Sequence, residues 1–376
     1  MANSFSSLFS GFFKTQGTSV LGIDIGSSSI KVVQLRKEKG KAILETYGEL
    51  ALGPYGGVEI GRATNLPQEK VIEALADLLK ESNVTTKDCG ISIPSSSSLL
   101  SFVHMPVSDK AQLDTMVPIE ARKYVPVPIS EVSLDYWPVP KEENSFSEFE
   151  RTPQTDGKPH DQGTDIILVV IHNDVLNRLS TISQSTGLST AFFEIEIFSS
   201  MRSVVEQSLD AELVFDMGAG STKLYIIDRT ILRSSHTINR GSQEITLALS
   251  RSLGMPVGEA EHVKRTIGLS AAPEHKNIRE VIDLNLDYIF SETNRVISNY
   301  QHHYNKNLSR IILTGGGSLL KGFLEAARTR FQTEVVLGDP FGKTEAPAFL
   351  TPVLKTAGPE FAVAIGIALR RLQELE

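Results

Sequence analysis

Two short stretches hold the residues that could do chemistry. Leu21-Gly-Ile-Asp-Ile-Gly-Ser-Ser-Ser-Ile-Lys-Val-Val and Leu213-Val-Phe-Asp-Met-Gly-Ala-Gly-Ser-Thr-Lys-Leu-Tyr share one pattern: apolar strand, Asp-x-Gly-x-x-Ser-x-Lys, apolar strand. Asp24 and Asp216, Gly26 and Gly218, Ser29 and Ser221, Lys31 and Lys223 each stand 192 residues apart. Each copy reads as a β-hairpin whose turn is made of small residues. These are Gly26, Ser27, Ser28 and Ser29 in the first, and Gly218, Ala219, Gly220, Ser221 and Thr222 in the second. Small residues let backbone N–H groups close on phosphate oxygens, and such a turn can form an anion-binding nest. An aspartate just ahead of each turn can hold Mg²⁺ through its water shell, because magnesium dehydrates reluctantly.

A third stretch, Ile311-Ile-Leu-Thr-Gly-Gly-Gly-Ser-Leu-Leu-Lys-Gly322, reads as a buried strand, a triple-glycine loop and the start of a helix. Gly315, Gly316, Gly317 and Ser318 would let a flat ligand lie against the backbone. A helix N-terminus there would favour negative charge. A phrase repeated at half the chain length implies two related halves that face each other.

Composition bounds the answer. A chain of 376 residues is long enough for two sizeable domains, and 40% hydrophobic content is that of an ordinary globular protein. The formal net charge of −8 argues against nonspecific nucleic-acid binding, which needs a basic surface. Cys89 is the only cysteine, which rules out a disulfide framework and a thiolate zinc site. No apolar run approaches the ~18–20 residues of a membrane span. The expected location is cytoplasmic.

Around these motifs the pattern predicts the elements that position them. Phe5, Leu8, Phe9, Phe12 and Phe13 fall on one helical face. Residues 1–17 therefore read as a short amphipathic helix that touches membrane or a partner, as a frayed terminus that folds onto the body, or as disorder. Residues 19–50 read as three strands and 51–64 as a glycine-rich loop. A helix follows from about 67 to 80, with Val71, Ile72, Leu75, Leu78 and Leu79 on one face, and then a strand at 90–94. This β-β-β-α-β order fits a ribonuclease-H-like core. Residues 95–186 read as a separate α/β insert: strand, helix over 110–123, strand over 131–139, polar loop over 141–164, strand over 165–171 and helix over 174–184. Residues 187–200 read as a strand leading into a helix, 240–269 as one helical stretch, 278–303 as a long helix and 359–371 as a small-residue helix. Gly342-Lys343-Thr344 lacks the glycine five places upstream that a Walker A loop requires, and reads as a loop.

Two phosphate hairpins and a glycine-rich loop resemble the actin, Hsp70, sugar-kinase and FtsA ATPase superfamily. Within it, Glu120-Ala-Arg-Lys-Tyr-Val-Pro-Val-Pro-Ile-Ser-Glu-Val-Ser-Leu-Asp135 resembles the PilM family of type IV pilus assembly proteins, which are FtsA-like. The resemblance extends from Val20 to the C-terminus. It is densest at 22–33, 118–136, 213–223, 311–322 and 359–369.

The resemblance implies a two-lobed α/β fold with an FtsA-type 1C (SHS2) insert. Subdomain 1A would comprise 18–94 with 187–207 and 358–376; 1C, 95–186; 2A, 208–240 with 308–357; and 2B, 241–307. It implies ATP and Mg²⁺ as ligands, with slow or negligible turnover. Phosphates would lie between 24–29 and 216–221, with adenosine near 315–317. Asp24 and Asp216 would hold the metal. Glu196, at the glutamate of the family's first connecting helix, would orient water; Ile197 replaces the proline expected after it. Glu261 and Lys264 of 2B would lie beside the nucleotide. The implied partner is the N-terminal segment of a PilN-like bitopic membrane protein, in a groove between 1A and 1C, with coupling to the pilus motor ATPases and possible self-association. An FtsA-like membrane tether and a small-molecule kinase are the alternatives.

Overall fold

The computed structural model describes residues 18–140 and 163–375. The Phe-rich segment 1–17 and most of the polar stretch 141–164 lie outside the described residues. The chain opens with a meander of β1 (Ser19–Ile25), β2 (Ser29–Glu38) and β3 (Lys41–Ala51). Helix α1 (Gln68–Glu81) crosses to β4 (Asp88–Ile93). Next come β5 (Ser98–Met105), α2 (Lys110–Ala121), β6 (Val132–Pro138) and β7 (Thr164–His172). Helix α3 (Asn173–Ser185) returns the chain to β8 (Ser189–Ile195), which runs directly into α4 (Glu196–Val204). A second meander follows: β9 (Ala211–Met217), β10 (Thr222–Asp228) and β11 (Ile231–Ile238). Helices α5 (Ser242–Leu253), α6 (Val257–Thr266) and α7 (Lys276–Tyr304) precede β12 (Leu308–Thr314). Then come α8 (Phe323–Arg330), β13 (Glu334–Leu337), α9 (Thr351–Ala357) and α10 (Ala362–Glu374).

The repeat seen in the motifs extends to whole sheets. The strand orders are β3-β2-β1-β4-β8 and β11-β10-β9-β12-β13. In each, a three-stranded antiparallel meander pairs in parallel with two crossover strands. The central strands are buried on both faces, so β9 reads Ala-Glu-Leu-Val-Phe-Asp-Met with every position buried. Both motif aspartates sit at the C-terminal ends of these central strands, where the sheet edge opens into a crevice.

The insert is a three-stranded antiparallel sheet, β5-β7-β6. Its central strand explains its apolar run. Ile166, Leu168 and Val170 pack with Leu113, Val117 and Ala121 of α2, whereas Ile167 and Val169 join the core of the first lobe. Helix α3, expected as part of the insert, buries Leu179 and Ile182 in that same first-lobe core. Trp137 of β6 lies 5.3 Å from Phe198 of α4, so the insert is also seated on α4.

Helices α4 and α10 cross where small residues permit close approach. A Cβ on Gly366 would stand 1.9 Å from the Ser199 carbonyl oxygen, and one on Gly22 of β1 would stand 1.9 Å from that of Ala364. The helical run Ala348–Glu374 is 27 residues long and apolar enough to cross a membrane. The sequence showed no such uninterrupted stretch. Its α10 part is mostly buried, packed against β1, β2, β4 and α4.

Two expectations need correction. The helical stretch at 240–269 is two helices, because Gly254 adopts a left-handed conformation (φ 65°) and Pro256 restarts the chain. The triple-glycine loop turns through a short 3₁₀ segment, Gly316–Leu319, and α8 begins only at Phe323. The loop therefore carries no α-helix N-terminus.

The helix crossing yields a prediction. Gly366→Ala places a methyl against backbone that cannot yield as a side chain would, so overpacking should cost about 1–3 kcal/mol. Denaturant unfolding should show a lower midpoint than wild type, and an unchanged midpoint would mean that the crossing is loosely packed.

Candidate functional site

The two hairpin turns have matching local structure. Gly26 N–H donates to Ser29 O at 3.0 Å, and Gly218 N–H donates to Ser221 O at 3.0 Å. In each hairpin the register sets the aspartate opposite the lysine, Asp24 with Lys31 and Asp216 with Lys223. Directly paired residues share a face, so each acid has a cation beside it. The tips approach closely: a Cβ on Gly220 would lie 3.7 Å from Ser27 Oγ and 3.8 Å from Ala63 Cβ.

Beyond the turns the halves differ. In the first sheet Lys31 pairs across β2–β3 with Glu49, at 3.0 Å, and donates to Ser29 Oγ at 2.6 Å. The corresponding position on β11 is Thr237. Lys223 instead reaches the first lobe, 2.6 Å from Glu196 Oε2, while standing 3.8 Å from Asp216 Oδ2 of its own hairpin. Glu196 opens α4, and its other oxygen accepts from Ser95 N–H at 2.6 Å. Ser95 lies between β4 and β5, at the entrance to the insert.

Burial governs the charges. It pushes the Asp216 carboxyl up to about 6 against the pull of Lys223, and Glu196 and Asp24 add to the rise. Asp24 is also raised by burial, opposed by Lys31 and by the 2.8 Å hydrogen bond from Ser92 Oγ. Glu196 is buried too, but the Lys223 charge and the bonds from Lys223 and Ser95 outweigh that burial and hold it below the usual carboxylate range. Two raised carboxylates facing each other fit a cation between them. Among the described residues no three His, Cys, Asp or Glu side chains form a cage. A metal here would need ligands from water or a bound anion, which suits magnesium.

The glycine loop closes the floor. Gly315 has φ 80°, and a Cβ there would stand 2.4 Å from Asp216 Oδ1, so only glycine fits. Its N–H donates to Pro359 O at 2.8 Å, which brings the segment before α10 against the loop. On the far side, α5 starts on the second turn: Ser242 and Gln243 N–H donate to Gly218 and Ala219 O, each at 2.9 Å. Thr246, Glu261 and Lys264 form a buried cluster behind it. Thr246 Oγ1 donates to Glu261 Oε2 at 2.7 Å, Lys264 Nζ donates to Thr246 Oγ1 at 2.9 Å, and Arg265 holds the other Glu261 oxygen at 2.7 Å.

These groups line one cavity of about 280 Å³. It gathers Asp24, Gly26, Ser27, Ser28, Ser29, Lys31, Glu196, Asp216, Gly218, Ala219, Gly220, Ser221 and Lys223 with Glu261, Lys264 and Gly315, Gly316 and Gly317. Thr222 and Ser318 are not in its lining. The Thr222 hydroxyl is buried and donates to Arg240 O at 2.8 Å, and that of Ser318 donates to Gly315 O at 2.7 Å. Short hydroxyl side chains often bond nearby backbone in this way. Sequence reasoning missed Glu49, Gly61, Ser200, Ser242, Arg265 and Glu360, all of which line the cavity. Gly61 belongs to the 51–64 loop, which crosses the mouth: a Cβ there would stand 2.5 Å from Glu261, and Ala63 N–H donates to Gln243 Oε1 at 2.5 Å.

The Asp216 environment predicts a pH signature. A raised folded-state pKa means that the folded chain holds the proton more tightly than the unfolded chain. Stability is therefore lost as pH rises from the ordinary 3.8 to about 6, and the loss is constant above that. Asp216→Asn removes the ionised group and should stabilise the unliganded chain at pH 7 by on the order of 1–3 kcal/mol. The gain should vanish near pH 4; denaturant unfolding across pH measures it.

A sequence profile described as type IV pilus assembly protein PilM matches residues 22–372. Among solved structures, a chain of a PilM–PilN type IV pilus biogenesis complex superposes with a TM-score of 0.77 at 22% identity, covering 94% of this chain and 98% of that one. The ethanolamine utilization protein EutJ of Carboxydothermus hydrogenoformans gives 0.54 at 15% identity, covering 94% and 89%. MreB5 of Spiroplasma citri, solved with ADP, gives 0.52 at 11% identity, covering 95% and 98%. The cell division protein FtsA of Rhizobium meliloti (strain 1021) is 27% identical over 183 residues, 41% of this chain and 39% of FtsA. The fold is the two-lobed actin-like one, and the chain belongs to the PilM family of type IV pilus assembly proteins.

Proposed function

We propose that this actin-like pilus assembly protein is a nucleotide-binding scaffold that docks the cytoplasmic N-terminal segment of a PilN-like membrane protein and links it to the motor ATPases of the pilus. The observation that carries the nucleotide half is the pair of matching hairpin turns facing each other across one cavity, with a glycine loop as floor. ATP would place its phosphates between the turns at Gly26–Ser29 and Gly218–Ser221, and its adenosine against Gly315–Gly317. Asp24 and Asp216 would hold Mg²⁺ through water. The ion would offset the charge of the triphosphate. Lys31 and Lys223 stand ready to meet the phosphates, and Glu261 and Lys264 would wall the nucleoside side.

Turnover should be slow. Glu196 would be the carboxylate that orients water, and both of its oxygens already accept hydrogen bonds, from Lys223 and from Ser95. That geometry favours a switch over a rapid hydrolase. The partner would occupy a groove between the first lobe and the insert, on the cytoplasmic side of the inner membrane. The contact from Glu196 to Ser95 offers a route from cavity to insert, because a ligand that displaces Lys223 acts on a residue held at the insert's entrance. A ligand shifts such an equilibrium only by its differential affinity for the two arrangements.

Calorimetric titration with the N-terminal peptide of a PilN-like protein, with and without Mg-ATP, tests both halves. Binding that changes severalfold with nucleotide is the expected result; absence of binding in both conditions would overturn the docking role. Asp216→Ala should stay folded, with a wild-type circular dichroism spectrum, and lose at least tenfold in Mg-ATP affinity. Retained affinity would remove the site assignment.

A further inference from the structure

Glu360 has no part in the motifs, yet it points into the cavity. It precedes α10, in the 3₁₀ segment Gly358–Phe361, and is brought in by the Gly315 N–H to Pro359 O bond. Its Oε2 lies 3.5 Å from where a Cβ on Gly316 would be, so the carboxylate rests on the triple-glycine loop. It is half-buried, and among the described residues it has neither a hydrogen-bond donor nor an ion-pair partner. The nearby charges are Glu49 on β3, Lys31 on β2 and Arg265 on α6. Lys31 is already bonded to Glu49 and Ser29, and Arg265 to Glu261. Burial, reinforced by Glu49, pushes the Glu360 carboxyl up to about 7 against the pull of Lys31 and Arg265.

A carboxylate lacking a donor inside a ligand cavity is an acceptor in want of one. The triphosphate has only acceptors to offer. The nucleoside has donors, the ribose hydroxyls and the exocyclic amine of adenine. Position separates these two. Glu360 lies between the glycine loop, which takes the base, and Lys31 beside the first phosphate turn, and the ribose is the part of a nucleotide that joins base to phosphate. We propose that Glu360 is a specificity-determining residue that accepts hydrogen bonds from the ribose hydroxyls of the bound nucleotide, an inference that rests on the nucleotide reading above. It makes the site selective for ribonucleotides, since a ligand without those hydroxyls leaves the carboxylate without a donor.

The test compares ADP, 2′,3′-dideoxyadenosine diphosphate and inosine diphosphate, each with Mg²⁺, on the wild-type chain and on Glu360→Ala. Thermal unfolding confirms that the variant is folded. Wild type should bind ADP about tenfold more tightly than the dideoxy analogue, the scale of a hydrogen bond to a charged group. In the variant that ratio should fall to near one, while the ratio of ADP to inosine diphosphate stays at its wild-type value. A variant that still discriminates against the dideoxy analogue overturns the assignment. So does a variant in which the inosine ratio collapses instead, since Glu360 would then read the base. A wild-type chain that binds none of the three overturns the nucleotide reading itself, and this inference with it.

Discussion

Two carboxylates lining one cavity, Asp216 buried and Asp24 half-buried, are the constraint on which the site depends. Asp24 and Asp216 end the central strands of two sheets, and burial makes each expensive to ionise. The surrounding groups offset that cost. A lysine lies directly across each hairpin, Ser92 donates to Asp24, and the tips consist of glycine, alanine and serine, which leave backbone free to approach an anion. A cation bound between them would relieve this unfavourable arrangement. Two glycines show a comparable trade in packing. Gly22 and Gly366 give up side-chain burial so that α10 can lie against β1 and α4.

Some of this was legible in the sequence because the signals are local and repeated. The hairpins announce themselves twice at one spacing, the glycine loop follows a continuous apolar strand, and β7 carries the apolar run of a strand buried on both faces. The break between α5 and α6 was also written there, as Gly254 and Pro256, but one apolar periodicity continued across it and masked the turn. Thr222 and Ser318 misled for a local reason. Each stands within a motif expected to contact ligands, yet its hydroxyl is taken by a neighbouring carbonyl.

The residues that escaped notice are placed by tertiary register. Glu49 meets Lys31 only through the β2–β3 pairing, which shifts register between Gln34 and Leu35. Glu360 and Arg265 come from segments far apart in sequence, and each reaches the cavity because another segment, the glycine loop or α5, holds its element there. The 51–64 stretch reads as a loop, but its contacts with Glu261 and Gln243 exist only once the two lobes face each other. Local chemistry names the turns that line the cavity, whereas its other walls are a property of the assembled fold.

The departure from symmetry is the most consequential part of the arrangement. Lys31 finds its counter-ion within its own sheet, at Glu49, and would keep it however the lobes moved. Lys223 has Thr237 at the matching position, and its counter-ion is Glu196 of the other lobe. The pair is largely buried, at 15% and 9% side-chain exposure. Separating the lobes would break this pair and leave Lys223 with Asp216 of its own hairpin, 3.8 Å away, as its nearest acid. A bound anion at the second turn can take over the lysine, which frees Glu196 while Ser95 still holds its other oxygen. One half of the duplicated structure thus keeps a self-contained cation, and the other ties the cavity to the insert.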